Sequence, residues 1–202
     1  MTKNSAKHLL LVSAGALVLF TQTGLWAQSV PGVPGTWKVI PGIATNAVFL
    51  PVGQDIAVVS TNDIWQVGYA TTGHWDGSAW SAISPAGSFV SLSGVAAVAT
   101  DDVWAVGNAP AGTGFYSAVT EHWDGSAWSI VPAPNGSTDP NVKTASQLVS
   151  VAAVSSNNVW AVGWTETLAN FSFFIGTLIE HWDGSQWTVI PSPNVDAVPK
   201  TP

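Results

Sequence analysis

The sequence predicts an all-β fold of β-propeller-type blades, with three four-stranded antiparallel repeats plus one extra N-terminal strand in an incomplete ring. Three observations lead there. Two short motifs recur three times along the chain. Each unit holds four β-type runs separated by turn residues. The two inner runs are apolar on both faces, as in sheets covered from both sides.

Taken in order, residues 1–27 read as a secretory signal peptide. Lys3 and Lys7 make the start positive, Leu9 to Phe20 is an apolar run, and Ala27 offers a small residue for cleavage. The run breaks at Thr21-Gln22-Thr23-Gly24, short of the roughly 20 apolar residues needed to span a bilayer. The expected location is therefore secreted or periplasmic, with no membrane attachment after cleavage. Removal leaves three lysines against 12 acidic residues, a formal charge of −9. Residues 28–46 follow, with a lone strand of outer type at 35–41. Three blades then span 47–193 (47–85, 88–132 and 145–193), and 194–202 is a tail.

The repeat justifies each blade. Asp63-Ile64-Trp65-Gln66-Val67-Gly68 returns as Asp102-Val103-Trp104-Ala105-Val106-Gly107 and as Asn158-Val159-Trp160-Ala161-Val162-Gly163. His74-Trp75-Asp76-Gly77-Ser78-Ala79-Trp80 returns at 122–128 and, with Gln186 for Ala, at 181–187. An apolar run rich in Val and Ala precedes each first motif and forms strand a; the Val-Trp-Ala-Val-Gly run is strand b. Strand c ends in His-Trp and strand d begins at the second Trp. The a–b turns are Asn- and Asp-rich, where side chains bond their own backbone, and Asp-Gly-Ser is a hairpin signal between c and d. The five-residue step puts Trp75 with Trp80, Trp123 with Trp128 and Trp182 with Trp187 on one face, as cross-strand pairs. No unit has helical periodicity, and a sandwich does not predict a threefold repeat.

These residues resemble a kelch-type blade, in particular the Trp-rich, kelch-like repeats of secreted bacterial proteins, over about 35–193. The kelch diglycine is here one Gly followed by Tyr69, Asn108 or Trp164, and the kelch Tyr position is Trp. The resemblance implies the fold; function does not follow from it. Three blades plus one strand fall short of the usual 4–8 and leave apolar faces open. Either further copies complete the ring, as a homo-oligomer, or the chain is a truncated product of a longer gene.

Composition excludes several functions. Without cysteine there is no disulfide, Cys-ligated metal or thiol nucleophile, and five lysines without arginine make no nucleic-acid footprint. His74, His122 and His181 occupy one repeat position on a strand ~10 Å out from the innermost, so they cannot converge on a metal. Asp76, Asp124 and Asp183 precede Gly in tight turns and read as turn caps. Asp101, Asp102, Asn157 and Asn158 supply too few oxygens for calcium. Trp65, Trp104, Trp160 and the paired tryptophans read as blade-to-blade core. No metal, cofactor or catalytic residue is expected.

Loop length carries the functional signal. Between the motif Gly and His the b–c segment has 5, 14 and 17 residues, whereas the a–b and c–d turns hardly vary. Loops that vary on one face of a constant scaffold are where ligands bind. Tyr69, Asn108, Tyr116, Trp164 and Glu166 are the candidate ligand residues, with Phe115, Phe171, Phe173 and Phe174 nearby. The reading is a secreted, non-catalytic module that binds or scaffolds an extracellular protein or polysaccharide. The alternatives are part of a carbohydrate-active propeller enzyme, for which only Glu166 and Asp139 stand off the repeat as carboxylates, or a fragment without independent function.

Overall fold

A computed structural model describes residues 9–13, 16–20, 53–111, 115–134, 143–169 and 172–192. The chain forms two compact units, Met1–Ala44 and Thr45–Pro202. In the first, β1 (Leu9–Ser13) and β2 (Ala16–Phe20) pair as an antiparallel hairpin with Leu9 opposite Phe20. These strands take up the apolar run read as the core of the export signal. The cleavage point at Ala27, the lone strand at 35–41, Asp139, Phe171 and the tail lie outside the described residues. Among the described residues no helix is long and apolar enough to cross a membrane.

The second unit holds three four-stranded antiparallel meanders. The first is β3 (Gly53–Ser60), β4 (Asp63–Gly68), β5 (Thr71–Trp75) and β6 (Trp80–Ile83). The second is β7 (Ser91–Ala99), β8 (Asp102–Pro110), β9 (Tyr116–Trp123) and β10 (Trp128–Ile130). The third is β11 (Lys143–Ser155), β12 (Asn158–Ala169), β13 (Ser172–Trp182) and β14 (Trp187–Val189). The fold is all-β and propeller-type, an open arc of blades in which the second sheet lies between the first and third.

Each hairpin follows from its residues. In the outer turns Asp76, Asp124 and Asp183 accept bonds through Oδ1 from the backbone N–H two and three residues on, at 2.8–3.0 Å. The next residue, Gly77, Gly125 or Gly184, has φ near +90°, where a side chain is strained. A β-bulge marks strand a opposite the end of strand b, at Leu92/Gly94 and Leu148/Ser150. The bulge drives the strand a carbonyl against the motif glycine. A Cβ on Gly107 would sit 1.9 Å from the Ser91 oxygen, and one on Gly163 1.9 Å from that of Gln147. Only glycine fits there, so the Val-Gly ending of the second and third blades is a packing requirement.

The core consists of the two interfaces between sheets. Trp65, Val67, Val95, Val103, Val119 and Trp128 fill the first, with Trp123 at its margin. Trp104, Val106, Leu148, Val159, Leu178 and Trp187 fill the second, with Trp182 at its margin. Side chains alternate across each strand, so β8 gives Val103 and Ala105 to the first interface and Trp104 and Val106 to the second. All four are at most 2% exposed. Polar links cross both junctions: the Val95 N–H donates to Asp55 Oδ2 (3.0 Å), Trp128 Nε1 to Thr72 Oγ1 (3.0 Å), and the Ala118 N–H to Ser146 Oγ (2.8 Å).

Candidate functional site

The two ends of the blades differ in construction. At the end of the a–b and c–d turns the three units are near copies. His74 Nε2 bonds Asp63 Oδ1 at 2.9 Å, His122 Nε2 bonds Asp102 Oδ1 at 2.8 Å, and His181 Nε2 bonds Asn158 Oδ1 at 3.0 Å. Each imidazole packs on the strand b indole opposite it, at centroid distances of 4.4, 4.5 and 4.3 Å from Trp65, Trp104 and Trp160. An Asn serves as well as an Asp, so the bond holds the ring and does not depend on a carboxylate. The turn aspartates are exposed, and donors from their own turns hold them down at about pKa 2. For Asp76 the Ala79 N–H contributes most; for Asp124 and Asp183 the Ser126 and Ser185 hydroxyls do.

Between the second and third sheets this end opens into a cleft of about 550 Å³, lined by Asp101, Asp102, Trp104, His122, Ser156 and Trp182. Its only His–carboxylate pair is the repeated turn contact, with His122 stacked on Trp104. Among the described residues no three His, Asp or Glu side chains cluster to hold a metal.

The opposite end carries the variation, and most of it is strand. The b and c strands have 6 and 5 residues in the first blade, 9 and 8 in the second, and 12 and 11 in the third. The segments read from sequence as variable loops are hairpin extensions, with β11 pairing alongside β12 from Lys143 opposite Leu168. Tyr69 is 60% exposed and bridges to Ser91. Asn108 is half-buried between Ser91 and Ala118, and Tyr116 is exposed opposite Pro110. Trp164 pairs with Gln147 and Thr177, and Glu166 with Ala145 and Ile175; both are half-buried. By strand alternation all five lie on the sheet face that carries Trp65, Trp104 and Trp160. The structure thus places them at one end and on one kind of face, distributed over three blades rather than gathered in one pocket. Phe174 pairs with Thr167 on the same extension.

Compared with known proteins, the chain matches no protein family and no curated protein. Among solved structures it is similar to "YCF48 bound to D1 peptide", at 17% identity and a TM-score of 0.44, over 75% of this chain and 46% of that one. The chain spans about half the length of that structure's chain.

Sequence reasoning passed over two buried carboxyls on strand c. Glu121 is fully buried and accepts the Ala86 and Gly87 N–H groups of the connector between blades at 3.0 and 2.9 Å. Burial raises its pKa, and those two bonds oppose the rise. Glu180, its counterpart, is equally buried with both oxygens unpartnered among the described residues, and burial pushes its carboxyl up to about 7. Counted from the strand d tryptophan, the donor position of Ala86 corresponds to Pro134 before the third blade, and proline has no N–H. A Glu between apolar positions of a β-run was the available signal.

Proposed function

We propose that this chain is an exported, non-catalytic propeller module of kelch-like type that binds a protein or a polysaccharide outside the cytoplasm. The observation that carries the reading is the staircase of strand extensions, growing from 6 to 9 to 12 residues in strand b at one end of blades whose other end repeats. Extension by paired strands gives a ligand a rigid wall, which limits the ordering cost of binding. Trp164 supplies a flat apolar ring for stacking, and Glu166 beside it supplies an acceptor for hydroxyls or amides. The net negative charge favours uncharged or basic ligands over acidic ones. Completion of the ring by further copies of the chain belongs to the same reading.

The test is affinity electrophoresis through gels containing neutral soluble polysaccharides, alongside a peptide array, with the parent and the variants Trp164→Ala and Glu166→Gln. Retardation of the parent, reduced about tenfold or more in the variants at unchanged thermal stability, supports the reading. A loss that merely follows thermal stability, or parent binding that neither variant changes, overturns it.

A further inference from the structure

The interface between blades has two preformed halves, and among the described residues each is left uncovered once. The first half is the strand b tryptophan with its stacked histidine. Trp65 and Trp104 are 1% and 2% exposed, and Val67 and Val106 beside them 0%; in the third blade Trp160 is 38% exposed and Val162 42%. The second half is the tryptophan pair of the next blade. Trp123 and Trp128 meet Trp65 at 4.9 and 5.5 Å; Trp182 and Trp187 meet Trp104 at 5.1 and 5.5 Å. In both junctions the strand d ring stands edge-on to the buried indole, at 89° and 83°.

The uncovered halves already have the geometry of the covered ones. Trp75 and Trp80 on the first blade are 6.0 Å apart at 50°, against 5.9 Å at 53° and 6.0 Å at 48° for the two engaged pairs. Both are half-buried, and among the described aromatic rings they contact only each other. Val58, Ile64, Trp75 and Trp80 form one row across that sheet, matching Ala97, Val103, Trp123 and Trp128 in the second. Two residues along strand b on the same face, Gln66 faces Gly73 where the second and third blades pair Ala105 with Glu121 and Ala161 with Glu180. The polar side chain has moved from strand c to strand b of the same row, so the face keeps its polar position.

We propose that two copies of this chain join head to tail, the Trp160 face of each receiving the Trp75–Trp80 pair of the other, to close a six-bladed ring. This deepens the ring-completion part of the proposed function and rests on it. A second copy is the fitting occupant because every chain carries both halves, and each half is built to a pattern that the same chain already satisfies internally twice. The contact is heterologous, and six blades fall within the range in which such rings close. The two positions equivalent to Trp164 on covered faces keep part of their surface, Tyr69 being 60% exposed and Asn108 half-buried.

The experiment is sedimentation equilibrium of the full chain over a hundredfold range of concentration, without ligand. The expected mass is twice the 20.9 kDa of one chain. Trp160→Glu and Trp75→Glu should each weaken the dimer about 100-fold or more, and an equimolar mixture of the two, which keeps one intact junction, should recover dimer. Circular dichroism checks folding, and Val162→Glu replaces Trp160→Glu if that variant does not fold. A monomeric parent, an assembly that keeps growing with concentration, or a dimer indifferent to both substitutions overturns the proposal. Loss of ligand retention with the dimer intact would overturn only the ligand reading.

Discussion

Glu180 illustrates how one residue sets a pH response. Its carboxyl is shut away from water, both oxygens lack a partner among the described residues, and burial pushes its pKa up to about 7 from an ordinary 4.5. The folded chain therefore holds a proton that the unfolded chain gives up, and stability falls as pH rises from about 4.5 to about 7. Glu180→Gln removes this titration while keeping size and hydrogen-bonding capacity. The variant should match the parent near pH 4 and exceed it at pH 8 by about 3 kcal/mol, read from urea unfolding at both pH values. Equal pH dependence in parent and variant would refute the assignment. The turn aspartates act in the opposite sense: with pKa values held at about 2, their stabilisation is present above pH 4 and fades as pH falls through 2.

At the scale of the element, the strand a bulge and the motif glycine form one device. The bulge brings a carbonyl to a point where any side chain on Gly107 would overlap it. Gly107→Ala should cost about 2–3 kcal/mol of unfolding free energy, because the clash is with backbone on a bulged strand and no rotamer relieves it. A loss below about 1 kcal/mol would mean that the bulge gives way freely. Much of each blade was legible in sequence, since the five-residue step between tryptophans fixes their pairing and Asp-Gly-Ser fixes the turn. The hairpin extensions were less so. Trp164-Thr165-Glu166-Thr167-Leu168 and Phe173-Phe174-Ile175 are β-branched and aromatic, a strand composition, but a variable length between constant motifs looks like a loop. The candidate ligand residues were found as a region because they depart from the repeat. That they share one face required the register, which local pattern does not supply. Glu121 was hidden for a similar reason, since its donors lie 34 and 35 residues away on a connector.

For the molecule as a whole, stacked repeats gain stability from neighbours, and the three blades have unequal numbers of them. The second sheet is covered on both faces, and β8 is buried on each side. In β12 Val159 and Ala161 are fully buried while Trp160 and Val162 are exposed, and in β3 the outward Ile56 and Val58 are 38% and 63% exposed. Local opening of an end blade breaks one interface, whereas opening the middle blade breaks two, so opening free energies should rise towards the centre. Hydrogen exchange at low concentration should thus find the slowest amides at Val103 to Val106 in β8, with those of β4 and β12 exchanging at least tenfold faster. Raising the concentration adds the missing neighbour to both end blades if the chain closes on a second copy. Protection in β4 and β12 should then climb towards that of β8, while β8 itself changes little. A profile independent of concentration would mean that the end blades keep one bare face each, and uniform protection at all concentrations would mean that the blades do not behave as separate units.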